Sequence, residues 1–195
     1  MGCRTVRYIQ SGYDPGTHRP MSISSNRISD VGFIGAYEEE RSQSLLYLAQ
    51  NNINLTITGD RLWTSKFPYK GRNVDIDPSW IKSEEYVYRI NKTAINLCFL
   101  RKENRDLHTT RSVEIPACGG FMIAERTQEH LNLFAENQEA VYFSTDDELL
   151  AKVNYYLKEE EERLAIAKRG YNRCDRCGYD NHRLISNMLE VAFES

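Results

Sequence analysis

Short apolar runs alternate along this chain with amphipathic stretches at helical spacing, and that alternation leaves few folds open. Val31–Gly35, Ile53–Thr58, Ala94–Leu100, Gly120–Ala124 and Ala140–Phe143 are too short for helices and read as buried strands. Glu38–Gln50 gathers Leu45, Leu46, Leu48 and Ala49 on one helical face, and Trp80–Asn91 does the same with Tyr86, Val87 and Ile90. A short helix over about 110–118 contains Pro116, and Gln128–Phe134 forms another. Three helices close the chain at Asp147–Leu157, Glu160–Arg173 and 179–193. The first of them follows the N-cap run Ser144-Thr145-Asp146-Asp147, with Glu148 in its first turn. Strand–helix alternation predicts an α/β fold: a Rossmann-like, doubly wound parallel sheet covered on both faces, with a helical C-terminus. Residues 1–24 read as a tail, with a turn at Tyr13-Asp14-Pro15-Gly16, a restriction at Pro20 and a short strand at Val6–Ile9. Residues 25–195 read as the domain.

Composition narrows the function classes. The 41% hydrophobic and 27% charged content of the 195 residues fits one packed domain and excludes disorder. No apolar run has the length of a membrane span. A net charge of −3 without a basic block argues against nucleic acid as a partner. Five cysteines without a framework spacing suit reduced thiols and a cytoplasmic setting. Gly2 is followed by Val6 rather than Ser or Thr, which excludes myristoylation. Cys174, Cys177 and His182 supply three of the four ligands that a structural zinc needs, so no metal is expected. Asp75-Ile76-Asp77 has the spacing of a metal-binding acidic pair but precedes Pro78, and it reads as a loop.

Parallel sheets bind ligands at the carboxyl ends of their strands. Gly35, Gly59, Leu100–Asp106 and Glu125 all fall at such ends and should line one crevice. Asp106–Glu125 is the densest stretch: one carboxylate at Asp106, a second at Glu114 after seven intervening residues, then Ala117-Cys118-Gly119-Gly120 and an apolar run. A helix start in a crevice offers free amides to a phosphate, and flanking carboxylates accept from sugar hydroxyls.

The run Asn104-Arg105-Asp106, then Arg111-Ser112-Val113-Glu114-Ile115-Pro116-Ala117-Cys118-Gly119-Gly120, then Glu125-Arg126-Thr127, resembles the C-terminal domain of the CgeB-like glycosyltransferases. These are GT-B enzymes related to glycosyltransferase family 4. The resemblance extends from about residue 30 to the end, through Gly35, the strand at 94–100, and Ala140–Phe143 with Asp146-Asp147-Glu148-Leu149-Leu150. Ser11-Gly12-Tyr13-Asp14-Pro15 is similar to the linker that leaves the N-terminal domain. The resemblance implies a nucleotide-diphosphate sugar as donor, no essential metal or cofactor, retention at the anomeric carbon, and an acceptor-binding N-terminal domain outside this chain. It assigns Asp106 to the donor sugar, as Asp where the family has Glu, and Glu114 to the ribose hydroxyls. It places the amides of Leu107, His108, Thr109 and Thr110 at the diphosphate. A basic pair follows the first strand in relatives. Here position 36 is alanine and Arg41 keeps the second place, so Arg105 or Arg111 is the candidate for the missing charge.

Each assignment has a structural rival. Asp106 also reads as a cap of the helix that follows. Glu114 also reads as the partner of Arg111 across one turn, and Arg41 as that of Glu38. Arg111 also reads as a solvated helix residue, His108 as an acid–base group or an ordinary loop residue, and Tyr86 as a half-buried helix aromatic. Two alternative functions stand beside glycosyl transfer: a non-catalytic nucleotide-binding module, and an interaction domain on the same type of sheet.

Overall fold

The computed structural model describes residues 8–22 and 27–193. Six parallel strands form one sheet: β1 (Ser29–Ile34), β2 (Leu55–Thr58), β3 (Val74–Asp77), β4 (Thr93–Cys98), β5 (Met122–Glu125) and β6 (Val141–Phe143). Their order is β3-β2-β1-β4-β5-β6. The central pair is in register as Val31 with Ile95 and Phe33 with Leu97. Eight α-helices complete the described residues: α1 (Glu39–Gln50), α2 (Leu62–Lys66), α3 (Ser83–Lys92), α4 (Arg111–Ala117), α5 (Gln128–Leu133), α6 (Asp146–Lys158), α7 (Glu160–Arg176) and α8 (Asn181–Phe193).

Successive side chains on a strand point to opposite faces, so a sheet buried on both sides needs two cores. Val31, Phe33, Ile95, Leu97, Ile123, Val141 and Phe143 face α1 and α6. Cys98, Met122, Ala124 and Tyr142 face α3, α4 and α5 on the other side. Helix α7 reaches both cores, through Ile166 in the first and Cys174 in the second. The doubly wound parallel sheet and the helical C-terminus expected from the sequence are therefore present.

Several boundaries differ from the sequence reading. Asp75-Ile76-Asp77 belongs to edge strand β3 rather than to a loop. Asp77 is bonded to Arg89 at 2.7 Å and to Ser79. An edge strand half-covered on each face lacks the apolar run that marks a central one, and so it escaped detection. Helix α3 starts at Ser83 rather than at Trp80, with Lys82 in extended conformation before it. Helix α4 starts only at Arg111, with Thr110 in the cap position, so Asp106 does not cap it. Gly119, at φ +75°, closes α4 with its amide on Pro116 O at 2.8 Å. Of the expected tail, residues 8–22 pack on the domain. Tyr13 is buried in the second core, and its backbone pairs with Tyr179 and Asn181 at 3.2 and 2.8 Å. The strand expected at Val6–Ile9 lies partly outside the described residues.

Helix α5 is joined to α4 through a buried imidazole. His130 is fully buried and stacks on Tyr142, with ring centroids 5.7 Å apart. Its Nδ1 donates to Glu125 O at 2.6 Å, and Nε2 lies 2.7 Å from Ser112 Oγ. Burial pulls its pKa down to about 4, against the Glu125 carbonyl and with a smaller push from His108.

Two measurements test this architecture. A Cβ at Gly59 would lie 2.0 Å from Gly35 O, so the ends of β1 and β2 approach too closely for any side chain there. Gly59→Ala should destabilise the domain by about 1–3 kcal/mol in urea unfolding. His130 should make stability acid-sensitive. Its folded pKa of about 4 lies below the unfolded value, so only the unfolded chain takes up the proton between them. Full stability is present above pH ~6.5 and falls by about 3 kcal/mol as the pH drops toward ~4. His130→Gln, which cannot titrate, should unfold with a shallower pH dependence over that window.

Candidate functional site

The strand order reverses direction between β1 and β4: the chain leaves β1 toward β2 and leaves β4 toward β5. The connections diverge at that point and open a crevice beyond Ile34 and Cys98. Gly35 forms its floor. Its amide donates to Thr58 O at 2.9 Å, and its carbonyl accepts from the buried Trp63 indole at 2.8 Å. A side chain at 35 would strike Phe33 Cζ at 2.7 Å and come within 3.5 Å of Arg111 Nη2. Glycine keeps this space open between an aromatic ring and a guanidinium.

Two arginines flank that space. Arg41, from the first turn of α1, is only 7% exposed and lies over the Phe33 ring at 5.5 Å. Its Nη2 donates to Glu38 at 2.9 Å and to Leu100 O at 3.0 Å, and its Nη1 to Ala36 O at 3.3 Å. The sequence rival is thus half right: Arg41 does pair with Glu38, but inside the crevice rather than on the surface. Arg111 reaches the same place from the start of α4. Nε of both residues is shut off from solvent and has no hydrogen-bond partner among the described residues. Burial pulls the Arg41 guanidinium below its usual range; Glu38 opposes this, and Arg111 beside it adds to it. Arg41 is buried and Arg111 half-buried, each with an Nε that has no partner among the described residues, and two cations set side by side favour an anion next to them.

Glu114 lies one turn of α4 beyond Arg111 but does not pair with it. Its Oε2 accepts from Tyr86 OH at 2.8 Å, and its Oε1 lies 3.9 Å from His18 Nε2. The His18 ring meets Tyr86 edge-on at 5.8 Å. Burial drives the Tyr86 phenol well above its usual range, with Glu114 adding to it, so Tyr86 is the donor. His18, from the segment before β1, therefore lies beside the carboxylate of Glu114. Glu125, at the end of β5, takes the Leu100 amide on Oε2 at 2.6 Å, and burial raises its pKa.

The loop between β4 and α4 carries the remaining candidates. Arg105 sits in the left-handed region at φ +55°, exposed, whereas Asp106 is half-buried with its amide on Arg101 O at 3.2 Å. Arg111, not Arg105, therefore stands opposite Arg41. Leu107 is exposed, and its carbonyl is held by Thr127 Oγ1 at 2.6 Å. His108 is held on both nitrogens, by Tyr8 OH and by the Ser11 amide, each at 3.0 Å. The Thr109 amide is already bonded to Ser112 Oγ at 3.0 Å. Of the four amides expected at a phosphate, this one is spoken for within the chain. Thr110 is exposed next to Arg111.

Glu125 was expected from the sequence to line the crevice, whereas Tyr86, His18 and the Ser112–His130 pair were not chosen as site residues. Tyr86 and Glu114 stand 28 residues apart, and no local spacing announces such a contact. Among the described residues, no three His, Cys, Asp or Glu side chains are grouped to hold a metal. Cys174 is buried and Cys177 exposed at the end of α7. No helix among them is long and apolar enough to cross a membrane.

The architecture has known counterparts. The C-terminal domain of the group 1 family glycosyl transferase LpcC from Francisella tularensis matches 85% of this chain over 97% of its own length, at 11% identity and TM-score 0.67. Sucrose-phosphate synthase from Thermosynechococcus elongatus matches 96% of the chain at 12% identity and TM-score 0.74. Anabaena HepE, solved in complex with UDP-glucose, matches 94% at 10% identity and TM-score 0.70. The chain spans 52% and 56% of the last two structures, about half of each. At these identities the likeness shows the fold, that of a GT-B C-terminal domain. Comparison with curated proteins gives no sequence match. A family model described as glycosyl transferase-like matches residues 41–190, and the chain belongs to that family.

Proposed function

We propose that this chain is the donor-binding part of a glycosyltransferase that moves a sugar from a nucleoside diphosphate sugar to an acceptor. One observation carries the reading: Arg41 and Arg111 converge beside Gly35 with an unpartnered, solvent-free Nε on each. A diphosphate beside Gly35 would accept from the Arg111 guanidinium, whose Nη2 borders that space, and would offset the repulsion between the two cations. Departure of the nucleoside diphosphate puts charge on that group, so the same arginines would stabilise the transition state more than the ground state. Glu114 is the candidate to accept from ribose hydroxyls, and Tyr86 OH donates to its carboxylate. Asp106, on the exposed loop, is the candidate for the donor sugar. HepE was solved with UDP-glucose, which makes uridine diphosphate the first donor to try. The resemblance to CgeB-like enzymes adds metal independence and retention to the proposal. Acceptor binding belongs to a second domain.

Calorimetric titration with UDP, ADP, GDP and UDP-glucose tests the reading. One diphosphate should bind saturably. Arg111→Ala should weaken it by tenfold or more, about the worth of a charged hydrogen bond in a buried site. Glu114→Ala should weaken the nucleoside diphosphate, whereas Asp106→Ala should act only when the sugar is attached. Undiminished binding to Arg111→Ala would overturn the proposal. A non-catalytic nucleotide-binding module would show the same affinities without turnover once the acceptor domain is supplied.

A further inference from the structure

The loop that leads into Arg111 is held from behind by helix α5, through groups that the proposed donor does not touch. His130 Nδ1 faces the Glu125 carbonyl at 2.6 Å. A carbonyl only accepts, so Nδ1 carries the ring proton and the neutral ring offers Nε2 as an acceptor. Ser112 Oγ, 2.7 Å from Nε2, must therefore donate its hydrogen there. Its lone pairs are left for the Thr109 amide, 3.0 Å away. The Cys98 thiol, 3.8 Å from Ser112 Oγ, is kept neutral by burial and does not compete as an anion. A second tie runs in parallel. Thr127 caps α5 by accepting the His130 amide at 3.0 Å, and its hydroxyl donates to Leu107 O at 2.6 Å.

These ties fix the loop at Leu107 and Thr109, just before Arg111, and fix α4 at Ser112, just after it. Ser112 and His130 are both fully buried, so the chain of bonds does not exchange with water. The far end of the chain, Glu125, uses its carboxylate to hold the Leu100 amide, whose residue in turn presents its carbonyl to Arg41. The two arginines of the crevice are thus referred to the same frame.

We propose that Ser112 and His130 are positioning residues: their hydrogen-bond relay sets the backbone on both sides of Arg111 and so aims its guanidinium at the crevice beside Gly35. The inference rests on the diphosphate reading of that crevice. A purely structural Ser–His pair would contribute to stability and leave ligand affinity alone.

UDP titration of folded variants separates the two. Ser112→Ala should weaken UDP by roughly fivefold, about the worth of one buried hydrogen bond. His130→Leu should do the same, while His130→Gln, whose amide oxygen can take the Ser112 hydroxyl, should stay within about twofold of the wild type. If Ser112→Ala does not fold, Thr127→Val cuts the parallel tie at a half-exposed position and should also weaken UDP. Wild-type affinity in Ser112→Ala, or in Thr127→Val where that stands in, overturns the inference while leaving the diphosphate site intact. Equal losses in His130→Leu and His130→Gln would overturn the relay. If the wild-type chain binds none of the nucleoside diphosphates, the crevice reading itself falls and the inference falls with it.

Discussion

Pairing of β1 with β4 at the centre of an all-parallel sheet is the constraint on which the rest depends. Parallel strands need crossovers, and crossovers of one hand cover opposite faces when the chain reverses its direction across the sheet. The reversal leaves the ends of these two strands without a connection above them. Gly35 and Leu100 therefore border a crevice that the backbone topology creates before any side chain is considered. Both faces of the sheet are covered in apolar cores, so this edge is where polar chemistry can be concentrated.

The side chains placed there are expensive for a folded protein to hold. A buried guanidinium loses its hydration, and a second one beside it adds repulsion. Arg41 offsets part of this through Glu38, two backbone carbonyls and the face of Phe33. Nε on each arginine is nevertheless left without a partner. An arrangement of that kind stores a preference for an anion, and Arg41 is fixed in place by the carbonyls of Ala36 and Leu100 just beyond β1 and β4. Glu114 is kept in the same neighbourhood but is occupied by Tyr86 and forms no ion pair with Arg111.

Support for this edge comes from elements far away in sequence. Thr127, the cap of α5, holds the loop before α4 at Leu107, and His130 holds Ser112, which in turn takes the Thr109 amide; Tyr8 and Ser11 hold His108, and His18 lies beside Glu114. The imidazole of His130 can serve as an acceptor only while it is neutral, and complete burial keeps it so at ordinary pH. Packing energy from the second core is in this way converted into precision at the crevice, since the ring cannot shift without disturbing Tyr142 and the α4 contact.

Most of the scaffold was legible in the chain itself. Strands buried on both faces are continuous apolar runs, and Val31–Gly35, Ala94–Leu100 and Gly120–Ala124 announce themselves in that way; edge strand β3, with Asp75 and Asp77 alternating against Val74 and Ile76, does not. The central segment also marked Glu114, as the second of two spaced carboxylates, and the resemblance to CgeB-like glycosyltransferases made Glu114 and Arg111 candidate donor contacts. Their partners were beyond reach. Pairing of Arg111 with Glu114 was the local rival reading, and the fold instead sends one toward Gly35 and the other toward Tyr86, 28 residues earlier. Local periodicity determines which residues form strands and helices, since it reflects the burial of each short element. Only the tertiary structure decides which polar atoms are shut away together, because that follows from the strand order and from contacts between segments that share no sequence neighbourhood.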